Sequence, residues 1–421
     1  MYDRYTPLEM HGRETIFQRR PSMNILVIGN GFDLAHGLPT SYSDFLNFCK
    51  TIRTNYTANT DKHIDEIYTY INHNTWLDYF LDCPSYVGEN WIDFESEIAR
   101  VIRSLDNARS LTMNGGSVLD VRDEAGVMLT AIMKAAKTTL QTAFKDLTAI
   151  DKFSHFLYEE LERLIRALEI YIAEFVDKSL VRKQSPDIAC LHPDHVLSFN
   201  YSNTYERLYG EGKEIEYDYL HGEADINNTL ETNNMVLGID EYLADDVKNQ
   251  KTEFIEFKKY YQRMYKQSKR LAEVWCSDIR KEAECEKNSK NFMREKQIEY
   301  DLMKRGSVYH YNWEDYERLS PIYDKHYDEM HPKHNVYIFG HSLDVTDKDI
   351  LRNLILNDNV HTTVFYCKKK DKNGNYDNGR KDYGQKLTNL VKVIGQEELI
   401  KRTGGGTKTI EFKLQQDMME G

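Results

Sequence analysis

The apolar positions of this chain follow two periods that alternate along it. Short apolar runs at Ile25–Ile28, His195–Ser198, Tyr217–Leu220, Met235–Ile239, Val336–Phe339, Thr362–Cys367 and Val391–Ile394 read as strands. The unbroken ones suit a parallel sheet buried on both faces. Between them the spacing becomes helical. Thr40 or Ser41 can cap a helix carrying Phe45, Leu46 and Phe48, and Asp93 can cap one carrying Ile98 and Val101. Asn203 or Thr204 does the same for a helix with Tyr205 and Leu208. Val118, Val121, Ala125 and Leu129, then Leu157, Leu161, Leu164 and Leu168, mark the core faces of long helices. Phe254, Phe257, Tyr261 and Met264 form one face of a highly charged helical stretch. Strands separated by such stretches predict an α/β fold. The expected architecture is a Rossmann-like parallel sheet with large helical insertions at about 45–181 and 241–332. Residues 1–22 hold several arginines and no apolar period, and read as a flexible extension to a single domain over 23–421.

Each predicted strand ends in a polar or glycine-bearing turn, and in open α/β sheets ligands bind at the carboxyl ends of strands. The first strand runs into Gly29-Asn30-Gly31-Phe32-Asp33. Glycine there permits a sharp turn and close approach of backbone N–H groups to a phosphate. The dinucleotide fingerprint needs a third glycine three places after Gly31, which this chain lacks. A tight strand-to-helix turn accounts for the pair equally well. Later strands deliver Ser198-Phe199-Asn200, then His221-Gly222, then Gly340-His341-Ser342-Leu343-Asp344. The last of these is not a hydrolase nucleophile elbow, because Asp344 occupies the final glycine place.

Composition narrows the function. The formal charge of −13 argues against a protein that wraps duplex nucleic acid. Lys258, Lys259, Arg263, Lys266, Lys269 and Arg270 interleave with tyrosines, but Glu and Asp are mixed through the wider 241–332 stretch, so they read as a solvated helix face and nucleic acid is not an expected partner. No run has the length of a membrane span and no apolar signal segment opens the chain, which predicts a cytoplasmic protein with no membrane partner. The six cysteines are scattered without a C-x-x-C pair, so neither a disulfide framework nor a cysteine zinc site is indicated. No carboxylate cluster has metal-ligand spacing, and no metal is expected.

Several segments resemble, in order, the motifs of the abortive-infection AbiH family of bacterial phage-defence proteins. They are Gly29-Asn30-Gly31-Phe32-Asp33 with Gly37-Leu38-Pro39, Trp91-x-Asp93-x-Glu95, Ser198-Phe199-Asn200-Tyr201, His221-Gly222, Leu237-Gly238-Ile239-Asp240, Phe254-x-x-Phe257-Lys258 and Gly340-His341-Ser342-Leu343-Asp344. The resemblance covers Asn24 to about Leu356 and implies a part in phage defence. The spacing is also distantly similar to that of sirtuins. Ser202 stands where sirtuins carry aspartate and their four-cysteine zinc module is missing, so deacylation is not implied. These resemblances together imply a pocket for NAD or a related nucleotide, and an effector that hydrolyses its nicotinamide–ribose bond. They imply nucleotide binding by Gly29, Asn30, Gly31, Phe32, Asp33, Ser198, Gly340, His341, Ser342 and Asp344. Asn200 would orient the ribose or a water, His221 would be the base, and Asp33 or Glu95 would stabilise positive charge on the sugar. On this reading Gly31→Val removes nucleotide binding and leaves the fold intact. The alternative is a non-catalytic module that senses a nucleotide and engages a phage or host protein trigger through the 241–332 helices. A homo-oligomer is compatible with either.

Overall fold

The computed structural model describes residues 22–58, 61–89, 92–118, 123–243, 246–304, 334–369, 376–405 and 408–420. The N-terminal extension before Ser22, Trp91, Val121 and the stretch 305–332 therefore lie outside the described residues.

Six strands form the main sheet: β1 (Asn24–Ile28), β2 (His195–Ser198), β3 (Glu216–Tyr219), β4 (His334–Phe339), β5 (Val360–Tyr366) and β6 (Ile410–Leu414). Every neighbouring pair is parallel, in the order β3-β2-β1-β4-β5-β6. This is the doubly wound order, in which the chain leaves β1 in opposite directions and opens a crevice between β1 and β4. The expected α/β architecture with a parallel sheet and helical insertions is therefore the observed one. Alternation decides the two faces. Ile25, Val27, Leu197, Val336 and Ile338 pack into one core, while Leu26, Ile28, Val196 and Phe339 pack into another. Register aligns the strand ends: Ile28 lies opposite both Ser198 and Phe339, and Ser198 lies opposite Tyr219.

The helices that matter for the site are α1 (Asn30–Ala35), α2 (Tyr42–Asn55), α3 (Phe94–Met113), α4 (Leu147–Ile170), α5 (Lys259–Tyr265), α6 (Leu271–Lys304), α7 (Lys348–Ile355) and α8 (Arg380–Ile394). Ser41 and Asp44 form a reciprocal capping box on α2, and Asp93 caps α3 by accepting from Glu95 N–H. The insertion after β1 has its own core around Trp76, Phe80 and Phe94, with Leu157, Leu161 and Leu164 on α4. Leu237, Ile239, Phe254 and Phe257 belong to the same core, so the two insertions meet.

Two expected strands are corrected. Met235–Asp240 joins no sheet and makes a single parallel bridge, Ile239 to Lys258. Val391–Ile394 lies inside α8, where Leu390, Val393 and Ile394 turn inward at helical spacing. A short apolar run cannot by itself distinguish a buried strand from the buried face of a helix. β6 is an edge strand in which Glu411 and Lys413 alternate with Ile410, Phe412 and Leu414, so it carries no unbroken apolar run of the kind that marks the interior strands.

Candidate functional site

The site begins with two backbone turns pressed together. Gly31 N–H donates to Gly340 O at 2.8 Å, and Gly29 N–H donates to Phe339 O at 3.3 Å. A Cβ on Gly31 would stand 2.7 Å from Gly340 O, and one on Gly340 would stand 2.1 Å from Phe32 N. Gly340 also has φ +68° and the buried Leu343 φ +60°, a left-handed pair of positions on one loop. That loop is held from below by α8. Lys386 Nζ donates to His341 O at 2.7 Å and Asn389 Nδ2 to Ser342 O at 2.9 Å. The glycines thus serve first to let two strand ends approach. The Gly31 N–H, read from the sequence as free for a phosphate, is committed to Gly340.

Asn200 joins the third strand end to this pair. Its Nδ2 donates to Gly29 O at 3.0 Å, and its own N–H is received by Ser198 Oγ at 3.1 Å. A cavity of about 410 Å³ lies over the assembled turns. Gly29, Asn30, Gly31, Asp33, Glu95, Asn200 and His221 line it, together with Gly340, His341, Ser342 and Asp344. Two expected binding residues stand outside the lining. Phe32 is buried under the first turn, its ring edge-on to Phe339 at 6.0 Å between centroids. Ser198 spends its hydroxyl on the turn around Asn200. Each is taken by packing that the linear motif does not reveal.

Electrostatics divide the site's carboxylates. Burial pushes the Asp33 carboxyl up to about 6, against the nearby Ser202 and Thr204 hydroxyls and the charge of Arg207. Its Oδ2 accepts from Ser202 Oγ, and its Oδ1 is buried with no hydrogen-bond partner. Burial likewise pushes Glu95 up to about 7, against the ammonium of Lys259 at 2.7 Å. Asp347 behaves oppositely. Burial raises it, but Lys259, His221 and His341 together hold it well below the usual carboxylate range. Its Oδ1 lies 3.4 Å from His221 Nε2 and 3.6 Å from Lys259 Nζ, and its Oδ2 lies 3.5 Å from His341 Nε2. His341 Nδ1 accepts the Leu343 N–H at 2.9 Å, which places that ring's proton on Nε2, facing Asp347. Burial and the neighbouring Lys259 push His221 down to about 4, so it is a neutral acceptor at pH 7. The arrangement can hold a polar ligand, accept a proton at His221 and oppose positive charge with Asp33 or Glu95.

Lys259 and Asp347 were missed as site residues, as were the tyrosines beside Glu95. Tyr42 and Tyr201 line the cavity, and Tyr201 OH donates to Val236 O at 2.8 Å. The solvated-face reading is corrected for Lys258, Lys259 and Lys266, while Lys269 and Arg270 are exposed as expected. Lys258 and Lys259 are each 2% exposed. Lys258 Nζ pairs with Glu241 at 2.8 Å and Lys266 Nζ with Glu162 at 3.0 Å. Mixed charge in a sequence does not tell whether a lysine meets water or a carboxylate brought from elsewhere. The available signal was Phe254-x-x-Phe257, an apolar anchor directly before two lysines. Among the described residues no group of three or more His, Cys, Asp or Glu side chains could hold a metal ion, and no described helix is long and apolar enough to cross a membrane.

The model of one protein family, described as bacteriophage abortive infection AbiH, matches residues 25–366. That span takes in the strand ends from β1 to β5 and the whole cavity lining. No curated protein and no solved structure matches the chain.

Proposed function

The chain belongs to the AbiH family of bacteriophage abortive infection, and we propose that its part there is to bind NAD or a related nucleotide and hydrolyse the nicotinamide–ribose bond. The observation that supports this most is the convergence of two glycine turns at the sheet's switch point on one cavity with Asn200, His221, the buried Asp33 and the half-buried Glu95. Switch-point crevices are where doubly wound sheets take nucleotides, and a volume of this size is that of a ligand pocket.

The chemistry asks for what the site contains. When the C1′–N bond breaks, nicotinamide leaves as a neutral ring with the bonding pair, so its departure needs no general acid. Positive charge passes to the sugar, where an ionised Asp33 or Glu95 would oppose it. The oxygen of a water then bonds to C1′. Neutral His221 would accept a hydrogen bond from that water and take its proton on the way to solvent. Asn200 would hold the first turn in register through Gly29, and so position whatever that turn binds.

Nicotinamide release from NAD by the purified full chain tests the reading, beside protection of cells against phage. The parent is expected to release nicotinamide. His221→Ala should lose release by roughly 10²-fold with little change in melting temperature. Asn200→Ala should lower both, because the Nδ2 donation that ties this strand end to Gly29 O is lost, at about 0.5–1.5 kcal/mol, while Gly29 O keeps the Phe32 N–H. No release by a folded, phage-protecting parent would overturn the hydrolase, and loss of protection in His221→Ala would then favour the sensor.

A further inference from the structure

Lys259 belongs to none of the strand-end motifs and does not line the cavity, yet its ammonium lies directly behind two residues that do. Local structure explains how it gets there. Ile239 N–H donates to Phe257 O at 2.7 Å and Lys259 N–H to Ile239 O at 2.9 Å, which draws 235–240 against the start of α5. Gly238 allows that approach, since a Cβ there would lie 2.4 Å from Phe257 O. Gln262 fastens the same contact by accepting from Leu237 N–H at 3.1 Å and donating to Leu237 O at 3.2 Å. Phe254 and Phe257 sink into the apolar core immediately before it. With its backbone so fixed, Lys259 is buried, with Nζ 2.7 Å from Glu95 Oε2 and 3.6 Å from Asp347 Oδ1.

We propose that Lys259 is a positioning residue through which the second insertion completes the site: it favours the ionised Glu95 carboxylate at the cavity wall and fixes Asp347 between His221 and His341. The proposal rests on the reading that this cavity is catalytic. A buried ammonium is tolerated when its partners are charged and close, so its presence favours the ionised form of both carboxylates. The other groups facing this cluster are Asp240 and Asp93, the rings of His221 and His341, the phenols of Tyr42 and Tyr201, and Arg263 on α5 itself. Of these, only Arg263 is a permanent cation, and its charge acts on Asp240 and His221. Removing the Lys259 ammonium therefore leaves Glu95 with burial and like charges, both of which oppose its ionisation.

The test compares the full chain with Lys259→Met, Lys259→Arg and the double variant Glu95→Gln/Lys259→Met. Nicotinamide release and thermal melting are each followed from about pH 5 to pH 9, a window around the Glu95 value. In Lys259→Met the acid limb of the rate profile should move up by about one pH unit or more, and Lys259→Arg should return it. An unmoved limb with a uniformly lower rate overturns the proposal, because a packing role alone would do that. Melting is read without NAD. Glu95 has its folded value raised from 4.5 to about 7, so its contribution to stability falls as pH rises through that interval and levels above it. In Lys259→Met the fall should continue to higher pH, and the double variant should lose it. Parallel melting profiles for parent and Lys259→Met overturn the proposal whatever the activity. A shift in melting as stated, with no nicotinamide release by the parent at any pH, rejects the reaction assigned above and leaves the hold of Lys259 on Glu95 standing.

Discussion

Asp33 is a carboxylate that the fold makes unfavourable to ionise. One oxygen takes the Ser202 hydroxyl, the other is buried without a partner, and burial raises the group from 3.8 to about 6. A folded value above the unfolded one means the native state binds the proton more tightly. The Asp33 contribution therefore declines as pH rises from about 4 to about 6, and the full cost is present at pH 7. Asp33→Asn removes that cost while keeping an acceptor for Ser202. Its melting temperature at pH 7 should rise, by up to about 3 kcal/mol of stability, and the gain should disappear near pH 4. Phage protection should be lost at the same time, since residues that cost stability are retained for function. A variant that melts lower than the parent at pH 7 would show Asp33 to be a structural partner of Ser202.

At the scale of elements, the two glycine turns act as one unit. The Gly31→Val expectation drawn from the sequence assumed open space for a ligand above the turn. The added side chain would instead meet the Gly340 backbone at 2.7 Å. Gly340 is more constrained still, with φ +68° and a Cβ position 2.1 Å from Phe32 N. Backbone on both sides leaves nothing flexible to give way, so the loops must separate. Gly340→Ala and Gly31→Val should each destabilise by about 2 kcal/mol or more, measured by denaturant midpoint at unchanged slope. By contrast Gly37, with φ +80° and nothing within 4 Å, should cost only the left-handed strain of its backbone when changed to Ala, about 1–2 kcal/mol. Equal stability of Gly340→Ala and the parent would mean that the turns are not pressed together as described.

Across the whole molecule, residues far apart in sequence converge because the sheet order brings β1, β2 and β4 side by side. A ligand in the cavity should therefore protect separated segments together. Amide hydrogen exchange with and without NAD should show slowed exchange around Asn30–Asp33, Asn200–Ser202 and His341–Asp344 at one NAD concentration. Protection of one segment alone, or of surface helices only, would place binding elsewhere. The α5 segment is a further marker. Protection reaching Lys259–Gln262 would fit the linkage of α5 to the cavity wall through Glu95.

Five of the six sheet strands, the Ser41 and Asp93 caps and the glycine turns were legible in the sequence because each depends on neighbours within a few residues. Ile25–Ile28 is apolar on both faces, Ser41 finds Asp44 three places on, and Gly340 needs its conformation locally. The candidate site was legible to the extent that it sits on those turns, which is why Gly29, Asn200, His221 and Gly340 were found. Tertiary structure alone decided three other matters. It gave the Gly31 N–H a protein partner, turned Phe32 into core, and drove Lys259 out of a charged run into contact with Glu95 and Asp347. The reason is physical. Hydrophobic period and turn chemistry are properties of short stretches, whereas the ionisation of a carboxylate and the fate of a lysine depend on burial and on charges that only folding brings near.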